Sequence, residues 1–391
     1  MHTIETKPLN NKLLFIMATA IAATAANLYY NQPLIPSIGK ALNLSDGVLG
    51  FIPSASQIGY AMAIFFISPL GDVMNRKLVI RNLSITLVIA LLGVYLAPNF
   101  AILITSTFVV GLGANITQQL IPLGASLSTL ENKGKVMATL MTGLTTGILL
   151  SRTLSGFIAQ HFGWRAVFLG AAIIAAIIGV VLQLTLPSNK PTVKLKYRQL
   201  LGSMFTLVKT KPQLREAAFV GALWFAAFNA MWATIAIHVM DAPFLLSVQQ
   251  VGLLGFVGAA GIFGAKIAGK WVDKIGVRKV MTVSISLVLL SFVVLALGQN
   301  SMLMLCIGII LLDLGVFGSQ IPNQVRVFSI DENARSRTNA VYMLFYYIGA
   351  AVGSAVGVKV ISTYGWTGLT IFGFALAAIA LLFHLTRKMK K

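Results

Sequence analysis

Long apolar runs separated by short polar turns fill the chain from end to end. A hydrocarbon layer about 30 Å thick needs roughly 20 apolar residues at 1.5 Å rise each, and unpaired backbone groups are costly inside it, so each run is predicted to be a helix. The predicted spans are 13–36, 46–70, 78–97, 100–128, 136–160 and 164–186, then 216–240, 248–270, 279–298, 301–329, 338–362 and 366–386. The polar punctuation occurs twice, about 200 residues apart. Ser68-Pro69-Leu70-Gly71-Asp72-Val73-Met74-Asn75-Arg76-Lys77 is answered by Gly269-Lys270-Trp271-Val272-Asp273-Lys274-Ile275-Gly276-Val277-Arg278, aligning Asp72 with Asp273 and Lys77 with Arg278. Asn27 and Asn229, Gln118 and Gln320, Lys133 and Arg335, Lys135 and Arg337, and Gly163-Trp164 and Gly365-Trp366 match at nearly the same offset. Such a repeat is a helical bundle copied whole. The expected fold is an all-α membrane protein of twelve transmembrane helices in two pseudo-symmetric six-helix bundles, 1–186 and 216–391, joined by a basic cytoplasmic linker, 187–215.

Composition agrees with that pattern: 57% of the residues are hydrophobic and 10% charged, against roughly a quarter charged in soluble domains. The net charge of +20 would suggest nucleic acid in a soluble protein, but here the charges sort by side. Lys7, Lys12, Arg76, Lys77, Arg81, Lys133, Lys135, the linker (Lys190, Lys194, Lys196, Arg198, Lys209, Lys211, Arg215) and the C-terminal Arg387, Lys388, Lys390 and Lys391 fall on one side. The intervening loops hold little beyond Lys40, Arg165 and Lys359. This asymmetry predicts that both termini lie in the cytoplasm and leaves no basic patch for nucleic acid. Residues 1–26 mimic a secretory signal, yet Asn27 and the helix around it match the helix around Asn229, so the segment reads as the first span. The linker stretch 200–208 reads either as a short interfacial helix or as a disordered connector. Gly143, Gly147 and Gly156, like Gly349, Gly353 and Gly357, recur at helical spacing, so spans five and eleven should pack closely on their neighbours. The lone Cys306 sits inside a span and reads as packing.

The twelve runs, the two halves, the basic central loop and the Gly269, Asp273, Gly276 and Arg278 signature resemble the major facilitator superfamily; the first copy has Ser68 and Asn75 where Gly is usual. The resemblance implies a central cavity lined by spans one, four, seven and ten that opens alternately to each side. Asp72, Arg76, Lys77, Asp273 and Arg278 are then expected to form a gating latch, making charge pairs and meeting a helix terminus across the halves; the alternative is a solvated loop that sets topology. Within the superfamily the chain looks most like the twelve-span drug–proton antiporters, through Gly-rich span five and Gly163-Trp164-Arg165. It departs from that branch at Thr107, where Arg is usual, and at Ser151-Arg152, where Gly-Pro is usual, so the branch's ordinary proton relay lacks residues here.

Nine of the ten acidic residues fall in loops or at span ends; Asp313 does not. A carboxylate at mid-membrane costs several kcal/mol and marks a cavity or partner, and it can exchange a proton as access alternates. Arg152 is the complementary charge, and both lie about 24 Å from the cytoplasmic ends of straight helices. Their repeat partners are Ser354 and Gly111, so no shared structural need explains them. Arg152 either pairs with Asp313 or meets an anionic substrate, helix carbonyls or lipid phosphate. Lys266 lies nearer the cytoplasm and can snorkel. The cavity helices offer Asn27, Tyr29, Tyr30, Asn31, Asn115, Gln118, Gln119, Trp224, Phe228, Asn229, Trp232, Gln320 and Asn323, amides and aromatics that suit a small amphipathic solute.

These readings predict a monomeric secondary transporter of a bacterial inner membrane, with a small-molecule substrate, protons and membrane lipids as partners, working as a proton-coupled exporter. The alternative is an uncoupled facilitator or a proton-coupled transporter of a sugar, nucleoside or other metabolite. An enzyme is not expected, since His2, His161, His238 and His384 are scattered at span ends and Cys306 has no sequence neighbour to activate it. No phosphate-binding glycine loop or cofactor motif occurs.

Overall fold

The computed structural model describes residues 10–129, 131–188, 196–331 and 334–386, and the regular structure in them is helical. In chain order the helices are α1 (Asn11–Ala26), α2 (Ile35–Ala41), α3 (Asp46–Leu49), α4 (Phe51–Phe66), α5 (Leu70–Val73), α6 (Arg76–Tyr95), α7 (Phe100–Gly113), α8 (Ile116–Leu127), α9 (Lys133–Phe162), α10 (Trp164–Thr185), α11 (Tyr197–Thr210), α12 (Pro212–Met240), α13 (Val248–Gly258), α14 (Gly261–Ile275), α15 (Val277–Leu297), α16 (Met302–Ser329) and α17 (Arg335–Thr386). Counting directly abutting helices as one, nine among the described residues are long and apolar enough to cross a membrane. The charges Lys7, Lys190, Lys194, Arg387, Lys388, Lys390 and Lys391, and His2, lie outside the described residues.

Two apolar cores form. One gathers side chains from Leu14 to Leu186, the other chiefly from Met204 to Ala380, with a few residues of each crossing into the other. The sequence repeat reappears as repeated geometry. Asn27 Nδ2 donates to the Ala23 carbonyl (2.8 Å) and Asn229 Nδ2 to that of Phe225 (2.9 Å). Lys77 Nζ donates to the Leu186 carbonyl (2.7 Å) and Arg278 Nη2 to that of Leu385 (2.9 Å), each beside the end of the last helix of its half. Gly163 and Gly365 both stand at positive φ (81° and 64°), a conformation that a Cβ would strain, and so turn the chain before Trp164 and Trp366. At Gly365 this turn breaks α17 into two legs.

The glycine stripes do what their spacing predicts. A Cβ on Gly143 or Gly147 would lie 2.4 or 2.1 Å from the carbonyls of Ala18 and Ala22 in α1, and one on Gly349 or Gly353 would lie 2.3 or 2.1 Å from those of Ala222 and Ala226 in α12. The linker stretch resolves in favour of a helix: α11 is amphipathic and buries Leu200, Met204 and Leu207. Phe205 meets Phe65 edge-on (5.3 Å), and the Tyr197 hydroxyl donates to the Phe66 carbonyl (2.6 Å).

The first span is the exception to helical continuity. Pro33 and Pro36 supply no amide hydrogen and crowd the preceding turn. The α-helix therefore ends at Ala26, and the chain continues through tighter turns with i→i−3 bonds over residues 27–31 and a 3₁₀ turn, Gln32–Leu34, into α2. The matching helix α12 has no proline past its first position and runs unbroken through Asn229.

The cores meet along a seam. Toward the ends of α4 and α9 remote from the Asp72 turn, Gly50 abuts the backbone of Ser354 and Ala355, Gly156 abuts Val248 and Gly252, and the Ser54 hydroxyl donates to the Ala351 carbonyl at 2.6 Å. Toward the Asp72 turn the seam leaves a small cavity of about 70 Å³, lined by Asp72, Arg76, Gln118, Leu200, Met204 and Arg337 among others.

Candidate functional site

Halfway along the seam, the 3₁₀ turn after α1 faces α9, and α12 faces α16. The 3₁₀ turn brings Gln32 against Arg152 of α9, whose Nε donates to Gln32 Oε1 at 2.8 Å. The guanidinium lies over the Trp232 ring, 3.9 Å from its centroid, with the Tyr29 ring at 5.2 Å and that of Phe228 at 6.0 Å. On its edge the same indole uses its other capacity: Trp232 Nε1 donates to Asp313 Oδ2 at 3.3 Å. Arg152 is 2% exposed and Asp313 0%. They do not form a salt bridge: the guanidinium meets the face of the indole and the carboxylate its Nε1–H edge. Arg152 Nη1 and Nη2 and Asp313 Oδ1 find no hydrogen-bond partner in the protein. A cation over an aromatic face gains about 2 kcal/mol when desolvated, a fraction of what burying the charge costs. The arrangement is therefore held in place by the fold and is open to further ligation.

Glycine makes the closeness possible. The eighth span is interrupted at Ala259–Ala260, between α13 and α14, and the flanking Gly258 would place a Cβ 2.8 Å from Trp232 Cζ2 and 3.0 Å from Asp313 Oδ1. A Cβ on Gly261 would lie 3.3 Å from Asp313 Cβ.

The structure thus assembles five of the predicted residues, Tyr29, Arg152, Phe228, Trp232 and Asp313, around one point and scatters the others. Asn115 exchanges hydrogen bonds with the Ser68 hydroxyl, and Gln119 donates to the carbonyls of Ile67 and Ser68, so both brace the Asp72 turn. Gln118 Nε2 donates to the Tyr60 hydroxyl (3.1 Å), and Gln320 accepts from that of Tyr342 (2.7 Å). Asn323 donates to the Ala217 carbonyl (2.9 Å), tying α16 to α12. Tyr30 packs in the N-terminal core, Trp224 in the C-terminal one, and Asn31 is buried in the turn that leads into Gln32–Leu34.

Arg76 pairs with Asp72 one helical turn away and reaches Gln119, while Asp273 is exposed. Lys77 and Arg278 meet a helix terminus within their own halves, where carbonyls at the ends of α10 and α17 are the acceptors at hand. Lys77→Ala and Arg278→Ala should each cost about 0.5 kcal/mol, the worth of one half-exposed charged contact at a helix end. Their effects should add, since they share no partner. Thermal unfolding of the two single variants and the double variant in detergent checks this, and strong coupling between them would refute it.

Gln32, Tyr29 as a partner of Arg152, and the buried Glu216–Arg326 ion pair (2.9 Å) are contributions that sequence reasoning missed. For Gln32 a signal existed: a buried-length apolar run interrupted by Asn31-Gln32-Pro33 marks a broken helix, and broken helices carry transporter binding sites. Glu216 and Arg326 carried none, being 110 residues apart at span ends.

The fold and this buried polar point define a class, the multi-pass membrane transporters. The sequence profile of the Major Facilitator Superfamily matches residues 16–270 and 217–391, and the chain belongs to that family. It is 38% identical over 380 residues to an uncharacterized transporter, YgaY, of Escherichia coli O157:H7, covering 96% of each chain. Among solved structures it superposes on a bacterial homolog of the human lysosomal transporter Spinster in an inward-facing, occupied conformation (TM-score 0.77, 15% identity, 97% of each chain covered). It also superposes on the nucleoside transporter NupG (TM-score 0.74, 16% identity, 95% of this chain and 98% of that one).

Proposed function

We propose that the protein exports small amphipathic organic compounds across a bacterial inner membrane in exchange for protons, by alternating access. One observation carries this reading: a fully buried carboxylate on α16 and a fully buried guanidinium on α9 meet the edge and the face of one indole, on the seam between two bundles. Ionisable groups at bilayer depth mark ion and substrate paths, and a group on a seam changes its surroundings when the seam moves. In this reading the bundles 1–186 and 216–391 rock against each other about the linker. Twelve crossings result when α1 with α2 counts as one, α9 as another, and α17 as two legs meeting at Gly365. The basic loops then put both termini in the cytoplasm, and one chain encloses the whole path, so a monomer suffices. Asp313 takes up a proton when the seam opens outward and yields it to the cytoplasm when the seam opens inward, alternating with the solute.

Everted vesicles from an overexpressing strain should lose a preformed pH gradient when given a compound to which overexpression confers resistance. If no compound in a chemically varied panel dissipates the gradient, proton exchange is wrong. The gates can be probed separately. Gly156→Val would press on the Val248 carbonyl, which lies 2.7 Å from a Cβ there, and so hold the seam open at the end remote from Asp72. Single cysteines along the adjacent seam, in a Cys306→Ala background, should become several-fold more reactive to a membrane-impermeant thiol reagent added outside; unchanged labelling would sink this assignment.

A further inference from the structure

We infer that the transported solute is a small zwitterion, a carboxylate and an ammonium on an apolar body, held between Arg152 and Asp313 across the Trp232 ring. This deepens the proposed function, resting on it only in taking this seam as the solute's path. Each end of the site is half-used. Gln32 ties Arg152 Nε and fixes the guanidinium plane, leaving Nη1 and Nη2 buried and unpartnered. Two parallel N–H donors on a planar fork match the two oxygens of a carboxylate. Trp232 occupies Asp313 Oδ2 and leaves Oδ1, also buried, as an acceptor. An ammonium donates there.

Charge balance selects between ligand classes. Arg152 and Asp313 sum to zero, so an organic anion alone leaves one uncompensated negative charge in the seam and an organic cation alone leaves one positive. Each such charge costs several kcal/mol, whereas a zwitterion adds none. The faces of Trp232, Phe228 and Tyr29, which already line the guanidinium, take up the apolar body. In the opposite half of the repeat, Ser354 stands at the position of Arg152 and Gly111 at that of Asp313, so the two charges are not part of the common scaffold. The ammonium also competes with a proton for Asp313, which makes solute and proton alternate.

The test is equilibrium binding to the purified full-length protein, read by calorimetry, with phenylalanine and the dipeptide phenylalanylphenylalanine as zwitterions. Phenylalaninamide lacks the carboxylate, and N-acetylphenylalanine lacks the ammonium. The zwitterions should bind at least about tenfold more tightly than either singly charged analogue. Arg152→Gln should bind phenylalanine and its amide equally, and Asp313→Asn should bind phenylalanine and its N-acetyl derivative equally. Should Arg152→Gln not fold, Arg152→Lys, a point charge in place of the fork, should narrow the preference over the amide. The inference is overturned if either analogue binds the unaltered protein as tightly as the zwitterions, if no zwitterion binds at millimolar concentration, or if the preferences survive the substitutions. N-acetylphenylalanine binding equally well with proton uptake would mark an anion carried with a proton instead. Because binding is read without a gradient, failure here leaves proton exchange standing, and failure of the vesicle experiment leaves this one informative.

Discussion

Asp313→Asn should reduce pH-gradient-driven transport to the level of empty vesicles while leaving solute-for-solute exchange in place at saturating solute. Asn has nearly the shape of Asp and keeps an oxygen to accept from Trp232 Nε1, the one hydrogen bond that Asp313 makes, so the packing around it has no cause to change. What is lost is a buried carboxylate able to take up and release a proton. Exchange needs the bundles to rock only while loaded, whereas net gradient-driven movement needs return with a proton bound. Proteoliposomes with an imposed pH gradient, and the same vesicles preloaded with unlabelled solute, separate the two. Gradient-driven transport at the unaltered rate in Asp313→Asn would remove this carboxylate from the mechanism.

Gly147→Val and Gly353→Val should each abolish recovery of folded protein, the largest stability effect expected in the chain. A Cβ at either position would lie 2.1 Å from a backbone carbonyl oxygen, that of Ala22 or Ala226, and neither carbonyl can move without shifting its whole helix. Overpacking a well-packed core usually costs about 1–3 kcal/mol where side chains can yield, and here the obstacle is backbone. Valine adds two methyl groups beyond the Cβ. Gly134→Val and Gly202→Val serve as controls, because a Cβ at those positions meets nothing within 4 Å. Size-exclusion profiles of detergent extracts and unfolding temperatures would report the result. Equal yields from all four variants would show that the stripes tolerate expansion and that the first and fifth spans, and the seventh and eleventh, do not depend on this close approach.

The glycine stripes were legible because small residues at helical spacing have one structural consequence in a lipid-facing bundle, close approach, whichever helix supplies the partner. The conspicuous charges were legible for a related reason: Asp313 and Arg152 stand out against apolar runs since nothing else in hydrocarbon can carry a charge cheaply. Their mutual arrangement was not. Equal depth allowed a direct ion pair, but the guanidinium lies on the face of Trp232 and the carboxylate at its Nε1–H edge, and only the rotation of α12 about its own axis sets where that face and edge point. The amides show the limit most clearly. Asn27 and Asn229 match in sequence and make the same hydrogen bond, yet the α-helix gives way to tighter 3₁₀-type turns after the first and continues through the second, because Pro33 and Pro36 follow only Asn27. Asn115 and Gln119 sit on a helix expected to line the cavity and instead brace the Asp72 turn, since α8 presents that face to Ser68 and Arg76.

By itself the sequence determined that this chain is a helical membrane protein built from a repeated unit, because hydropathy, run length and spacing are local properties that the bilayer converts directly into helices. Tertiary structure alone decided that Gln32, Arg152, Trp232 and Asp313, from four separate segments, meet at one buried point. Contacts of that kind depend on helix rotation, on a proline-driven break and on the absence of a Cβ at Gly258, and these act together only once the two bundles have packed.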